Sequence, residues 1–170
     1  LATDFNQLKA ETWAQVGQQD ADYIRRIIRI QRTAAISARI LMMLCFFSLW
    51  FLLAGMLLLA FAKILENMEI GHNVMHGQYD FMNEPALRGA TYEWDIVGTS
   101  DNWRESHNYK HHSYTNIKGL DDDVGYGLLR LFPEQRWHFS YLFQSVFAVL
   151  LALLFQWGVA IQELQLGKVA

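Results

Sequence analysis

The 170 residues read as an all-α integral membrane protein in which cytoplasmic-side helices carry clustered histidines, and three observations lead there. Hydrophobic residues make up 52% of the chain against 18% charged, too apolar for an average soluble domain. Ile40 to Ala62 and Phe139 to Ile161 are 23 residues each without a formal charge, enough to cross about 30 Å of hydrocarbon as a helix. Five of the six histidines fall into two compact sets at helical spacing. A buried core helix would also tolerate one such apolar run, but two of this length favour insertion.

The elements follow in chain order. Residues 1–32 are expected to form amphipathic N-terminal helices. The first runs from Thr3 to Val16, with Thr3 or Asp4 as N-cap and Gly17 just past its end. The next starts at Asp20, with Tyr23, Ile24, Ile27 and Ile28 toward one side and Arg25, Arg26, Arg29 and Arg32 supplying positive charge, a pattern suited to an anionic lipid surface or to plain solvation. Residues 33–64 form the first membrane region. Five arginines precede Ile40 while Lys63 follows Ala62, so charge bias puts the N-terminus in the cytoplasm. A hairpin over about Thr33 to Ile64, turning near Trp50 to Gly55, then returns the chain to the cytoplasmic side. At this length its two arms would be short, and re-entrant, tilted or partly interfacial. Residues 65–138 are the cytoplasmic histidine-box region, 139–162 a further transmembrane helix, and 163–170 a truncated end.

Several function classes drop out. A net charge of −3 and no basic tract interleaved with aromatics argue against nucleic acid as a partner. The single cysteine, Cys45, excludes a disulfide framework and a thiolate-ligated zinc or iron–sulfur site within the chain. Leu1 to Gln19 lacks the basic stretch and apolar core of a signal peptide. Any metal is therefore expected on nitrogen or oxygen.

His72 and His76 lie in GHNVMHG, and His107, His111 and His112 in SHNYKHHS. An H-x-x-x-H-H string is expected by chance roughly 0.007 times in a chain of this histidine content. On a helix, residues four apart are separated by about 40° in azimuth and one turn in height, so His72 and His76 can address one point, as can His107 and His111. His112 is turned about 100° further and suits a second metal. Imidazole without thiolate fits iron, zinc, copper or nickel alike. Metal-bound imidazoles need an acceptor at their other ring nitrogen, and Glu69, three residues before His72, is the best candidate for that role. A ligating Glu69 is the sharper alternative. Glu66, Asp95 and the run Asp121, Asp122, Asp123 either orient ligands or are solvated, and the run reads as solvated. His138, alone beside Trp137, reads as structural or interfacial.

These boxes resemble those of the membrane fatty acid desaturase family, whose pattern is H-x(3,4)-H, H-x(2,3)-H-H and a third box (H/Q)-x-x-H-H. The first two are present. The stretches KILENMEIGHNVMHGQYDFMN, WRESHNYKHHSYTN and DDDVGYGLLR are similar to bacterial acyl-CoA or acyl-lipid desaturases of the actinobacterial type, from about Asp20 onward. The resemblance implies a pair of iron ions with His72, His76, His107, His111 and His112 among the ligands, zinc entering by mis-metallation, and O2 as co-substrate. It implies an acyl-CoA or acyl-lipid substrate, membrane lipid around the helices, and an electron donor such as ferredoxin or a cytochrome b5-type protein with its reductase. Two hydrogens would leave adjacent methylenes to give a cis double bond, in a bacterial cell membrane with the boxes facing the cytoplasm. With no third box before Ala170, the 170 residues alone are expected to hold iron weakly and not to catalyse. Trp103, one turn before His107, would line the acyl channel or sit at the bilayer edge.

Two other readings compete. A di-iron membrane hydroxylase or monooxygenase shares the boxes, and its hydroxy-acid product separates it. A non-catalytic metal- or haem-binding membrane protein would show a Soret band for haem, which favours single histidines on separate buried helices, or zinc retained from native membranes.

Overall fold

The computed structural model describes residues 1–94, 97–121 and 123–163 and is built, among these, from helices and turns. It divides into two compact units, 1–92 and 93–170.

In the first unit, α1 (Ala2–Gln15) is exposed along its whole length. Its N-cap is Leu1, two or three residues before the predicted Thr3 or Asp4, and both of those residues lie within its first turn without capping it. Gly17 then separates it from α2 (Gln18–Met43), where the Asp20 carboxylate accepts the Gly17 N–H at 2.9 Å. The arginine-rich segment and the first apolar arm are one continuous helix, because nothing between Arg32 and Ile40 breaks helical geometry. At 26 residues α2 is about 39 Å long, because the expected amphipathic helix and the short arm beginning near Thr33 run together.

The chain reverses at Leu44–Ser48, earlier than Trp50 to Gly55. Ser48 decides this: in extended conformation its Oγ accepts the Trp50 N–H at 3.3 Å and starts α3 (Leu49–Ile64). Gly55 is a packing residue instead. A Cβ there would sit 2.6 Å from Met42 Cγ and 2.9 Å from the Ala38 carbonyl oxygen, so only glycine lets α3 approach α2 this closely. Ala34 and Ala38 on α2 and Ala62 on α3 are buried, giving a contact made of small side chains. Most remaining side chains of α3 face outward, as suits a lipid-facing helix.

Beyond Ile64 the helix runs on through a π-helical segment (Leu65–Gly71) into α4 (His72–Met75). Leu49 to Met75 is long and apolar enough to cross a membrane. Its far end packs on the N-terminal half of α2: Ile24, Ile70, Val74, Tyr79 and Leu87 form the core of this unit, each aliphatic member contributing about 1.5–3 kcal/mol by burial. Gln31 Nε2 donates to Glu66 Oε2 at 3.0 Å and Tyr23 Oη to Glu69 Oε1 at 2.5 Å, which sets the register between the helices. Arg25 is paired with Glu84 in the loop that follows.

The second unit contains α5 (Ser100–Trp103), a π-helical segment (Arg104–His111), α6 (His112–Tyr114), a long turn-rich stretch, and α7 (Gln144–Glu163) preceded by a 3-10 turn (Phe139–Phe143). Phe139 to Gly158 is the second segment able to cross a membrane by length and composition. Leu154 departs from helical geometry and kinks α7. Of the stretch expected to be a truncated end, residues 164–170 lie outside the described residues.

Candidate metal centre

Each box begins where the helix widens. The His72 N–H bonds to the Asn67 carbonyl and the His112 N–H to the His107 carbonyl, five residues back in both cases. The first box itself is α-helical, the His76 N–H bonding the His72 carbonyl, as the predicted spacing requires; the second lies within a π-helical segment, rare and concentrated at functional sites, so its azimuths differ from those of an α-helix.

In the first unit, His72 and His76 meet through their Nε2 atoms, 3.2 Å apart, with ring centroids 4.6 Å apart. Two nitrogens bound to one metal at about 2.1 Å lie about 3.0–3.4 Å apart for angles between square and tetrahedral, so this pair is spaced as ligands to a common ion. The end of α4 is held from outside. Gly77 enters the left-handed region (φ 73°), and Gly89 folds back so that a Cβ on it would sit 2.7 Å from the Val74 carbonyl oxygen and 2.9 Å from Gly77 N. The Asp80 carboxylate fixes that approach by accepting the Gly89 N–H at 2.7 Å. The Glu69 carboxylate hydrogen-bonds Tyr23 on α2, and its carbonyl accepts Asn73 Nδ2 at 2.8 Å.

In the second unit Thr99 caps α5, its Oγ1 accepting the Asn102 N–H at 3.3 Å. Trp94 packs edge-on against Trp103 (5.2 Å), Trp103 stacks on His107 (4.4 Å, 27° between planes), and His107 stacks on His111 (4.9 Å, 16°). Trp103 is 8% exposed and backs the His107 ring. The His112 ring stands across both others at 5.0 and 5.3 Å, as near to His107 as His111 is.

The acceptors for these imidazoles come from downstream. Asn116 (φ 62°) and Gly119 (φ 82°) turn the chain back after α6. Asp121 then lies 3.0 and 3.1 Å through its two oxygens from His111 Nδ1, and Asp123 Oδ2 lies 2.9 Å from His107 Nδ1. Asp121 also accepts the backbone N–H groups of Asn116 (2.7 Å) and Asp123 (3.0 Å), and its side chain is fully buried. Burial alone would raise its carboxyl; the Asn116 N–H, the His111 ring and the Asp123 N–H together outweigh that and hold it below the ordinary carboxylate range. The acidic run is thus not solvated at Asp121, because the turn folds it under the box. Nothing local in the string DDD distinguishes that outcome; the ten-residue return from His111 would have been the signal. Asp95 and Asp122 lie outside the described residues.

A neutral imidazole that donates Nδ1–H to a carboxylate has its lone pair at Nε2, so the two aspartates are placed to present Nε2 of His107 and of His111 to a metal. Burial, then the charges of His107 and His111, push the His112 imidazole down, with Asp123 opposing, a shift in the direction that favours the neutral form a ligand needs. Nitrogen donors in convergent pairs, carboxylate-braced in the second box and free of thiolate, fit a divalent transition metal, iron among them. His138 is exposed, with Nδ1 3.1 Å from Ser140 Oγ, outside both sets.

The family model described as fatty acid desaturase matches residues 15–168. The chain is 48% identical over 170 residues to the NADPH-dependent stearoyl-CoA 9-desaturase of Mycobacterium tuberculosis, which covers 99% of this chain and 39% of that protein. It is 38% identical over 112 residues to the sn-1 linoleoyl-lipid 6-desaturase of Synechocystis (62% of this chain, 30% of the relative) and 28% identical over 106 residues to the acyl-lipid (8-3)-desaturase of Mortierella alpina (58% and 24%). The chain therefore spans about 39% of the length of the first of these relatives. No solved structure matches it. An all-helical chain with two membrane-length apolar helices and two histidine boxes, matched over residues 15–168 by that model, belongs to the membrane-bound fatty acid desaturase family.

Proposed function

We propose that the complete protein is a fatty-acyl desaturase that uses O2 and two electrons to introduce a cis double bond into an acyl-CoA or acyl-lipid chain, and that His72, His76, His107, His111 and His112 are ligands to its two iron ions. The observation that carries this reading is the bracing of His107 and His111 by Asp123 and Asp121, since a carboxylate at Nδ1 is what a ligating imidazole requires at its outer nitrogen. When bound, the iron pair supplies the O2 activation that an unactivated C–H bond demands.

This chain's own part is positional. Trp103 and Trp94 fix the ring planes of the second box from behind, while the Gly89 loop closes the end of the first. Glu69 positions the first box by tying its helix to Tyr23 on α2. A cavity of about 470 Å3 beside Asp123, lined by Tyr126, Leu129, Ala148, Leu151 and Phe155, offers apolar walls for a methylene chain, whose placement must come from shape because it has no polar handle. The electron donor is a reduced carrier such as ferredoxin or a cytochrome b5-type protein with its reductase.

The boxes face the cytoplasm of a bacterial membrane in this reading. The hairpin brings His72 and His76 back beside the N-terminal half of α2, where the arginines lie, and clustered arginines stay on the cytoplasmic side. The test is product analysis of the complete protein on a saturated acyl substrate. A cis-monounsaturated product, lost together with bound iron in the His107→Ala and His76→Ala variants, is expected. A hydroxy-acid product would assign the hydroxylase reading instead, and undiminished iron in both variants would remove these residues from the ligand set.

A further inference from the structure

A groove of about 610 Å3 runs along the surface between α2 and α3, away from the histidines. Arg26, Arg29, Thr33 and Ser37 lie on one face of α2, three or four residues apart. Opposite them Leu58 and Phe61 of α3, with Ala34 at the base, supply an apolar wall. Polarity therefore changes along the groove: guanidinium groups at one end, hydroxyls beside them, hydrocarbon beyond. From Arg26 to Ser37 the helix rises about 16 Å.

The arginines at this end differ from their neighbour. Arg25 is bound by Glu84 and also approaches Asp22, whereas Arg26 and Arg29 have no ion pair with a carboxylate among the described residues. They are exposed and precede the uncharged stretch of the hairpin in the chain, and clustered basic side chains flanking an apolar helix are suited to anionic headgroups. Two guanidinium groups above an apolar slot match a ligand with a phosphate at one end and a hydrocarbon chain at the other.

We propose that this groove binds one anionic phospholipid of the surrounding membrane, with its phosphate between Arg26 and Arg29 and one acyl tail along Ala34, Leu58 and Phe61. The site holds α2 against α3 by filling the seam that their small contact residues leave open toward lipid.

The test is native mass spectrometry of the full chain released from nanodiscs containing phosphatidylglycerol and phosphatidylcholine. One retained phosphatidylglycerol is expected. The double variant Arg26→Gln, Arg29→Gln should lower its affinity roughly 10–30-fold, from about 1 kcal/mol per basic residue at the surface, with no effect on phosphatidylcholine. The charge-matched variant Arg32→Gln, Arg39→Gln lies outside the groove and should retain the lipid. Leu58→Trp fills the slot without changing charge and should also release it. Retention in the Arg26, Arg29 variant would overturn the proposal. Equal loss in the Arg32, Arg39 variant, or full retention in Leu58→Trp, would reduce the site to a diffuse basic surface. Competitive displacement by stearoyl-CoA at matched concentration would make the groove a substrate site and overturn the lipid assignment.

Discussion

The Asp121 carboxylate addresses His111 Nδ1 with both oxygens, at 3.0 and 3.1 Å, from a position where its side chain has no exposure at all. A buried carboxylate bound to a ring nitrogen and two backbone N–H groups is a fixed mount, and it determines which nitrogen of His111 points into the cluster.

Replacing that mount should be felt first in metal affinity. Asp121→Asn keeps the shape but removes the charge, and iron binding by the complete protein, followed by titration under anaerobic conditions, should weaken by about 10–100-fold. Asp121→Ala should additionally destabilise the fold, because the N–H groups of Asn116 and Asp123 lose their acceptor at about 1–3 kcal/mol each. Equal iron affinity in the parent and in Asp121→Asn would remove the carboxylate from the metal site.

Trp103 is a buried plate behind His107. Trp103→Ala should cost about 3–5 kcal/mol in denaturant unfolding and loosen iron binding through His107. Trp103→Phe keeps an aromatic face and should restore most of both. Should Phe recover stability but not iron binding, the indole would have a role in the site beyond support.

Gly89 has backbone rather than flexible side chain on the side where a Cβ would go. Gly89→Ala should destabilise the first unit by about 1–3 kcal/mol and raise amide exchange at Val74 to Gly77, where the displaced segment ends the first box. Unchanged exchange there would show that the loop does not brace the histidines.

Tyr79 is buried in the core of the first unit, and burial first, then the charges of Glu69, Tyr23 and Asp20, push its hydroxyl up to about 12. The folded-state value lies above the ordinary 10.0, so the stabilising effect is fully present below pH 10 and is lost as pH rises through about 12. Burial pushes the Tyr126 hydroxyl up to about 12 as well, so ultraviolet titration should show a late step shared by Tyr79 and Tyr126, accompanied by loss of helicity. Tyr79→Phe should remove one tyrosine's share of that late step and uncouple it from the loss of helicity in the first unit.

How much of this was legible in the string of residues depends on the range of the interaction involved. Residue type and four-residue spacing identified five histidines as a set, and the length of uncharged runs identified membrane helices, because helical periodicity and hydrocarbon thickness act on consecutive residues. The turn lies at Leu44–Ser48 and not near Trp50 to Gly55, where the role of Gly55 is set by Met42 and Ala38 across the helix contact. Ser48, a single hydroxyl in an aromatic stretch, made the turn.

The sequence by itself determined the family, the helical class and the nitrogen donors, since each is written in short patterns of side-chain chemistry. Only the tertiary structure decided that Asp121 and Asp123 hold the rings, that Trp103 backs His107, that a π-helical segment carries the second box, and that Gly89 closes on Val74. Those outcomes depend on where turns at Asn116 and Gly119, or at Gly77, return the chain, and a return of ten residues or more is governed by packing rather than by local propensity.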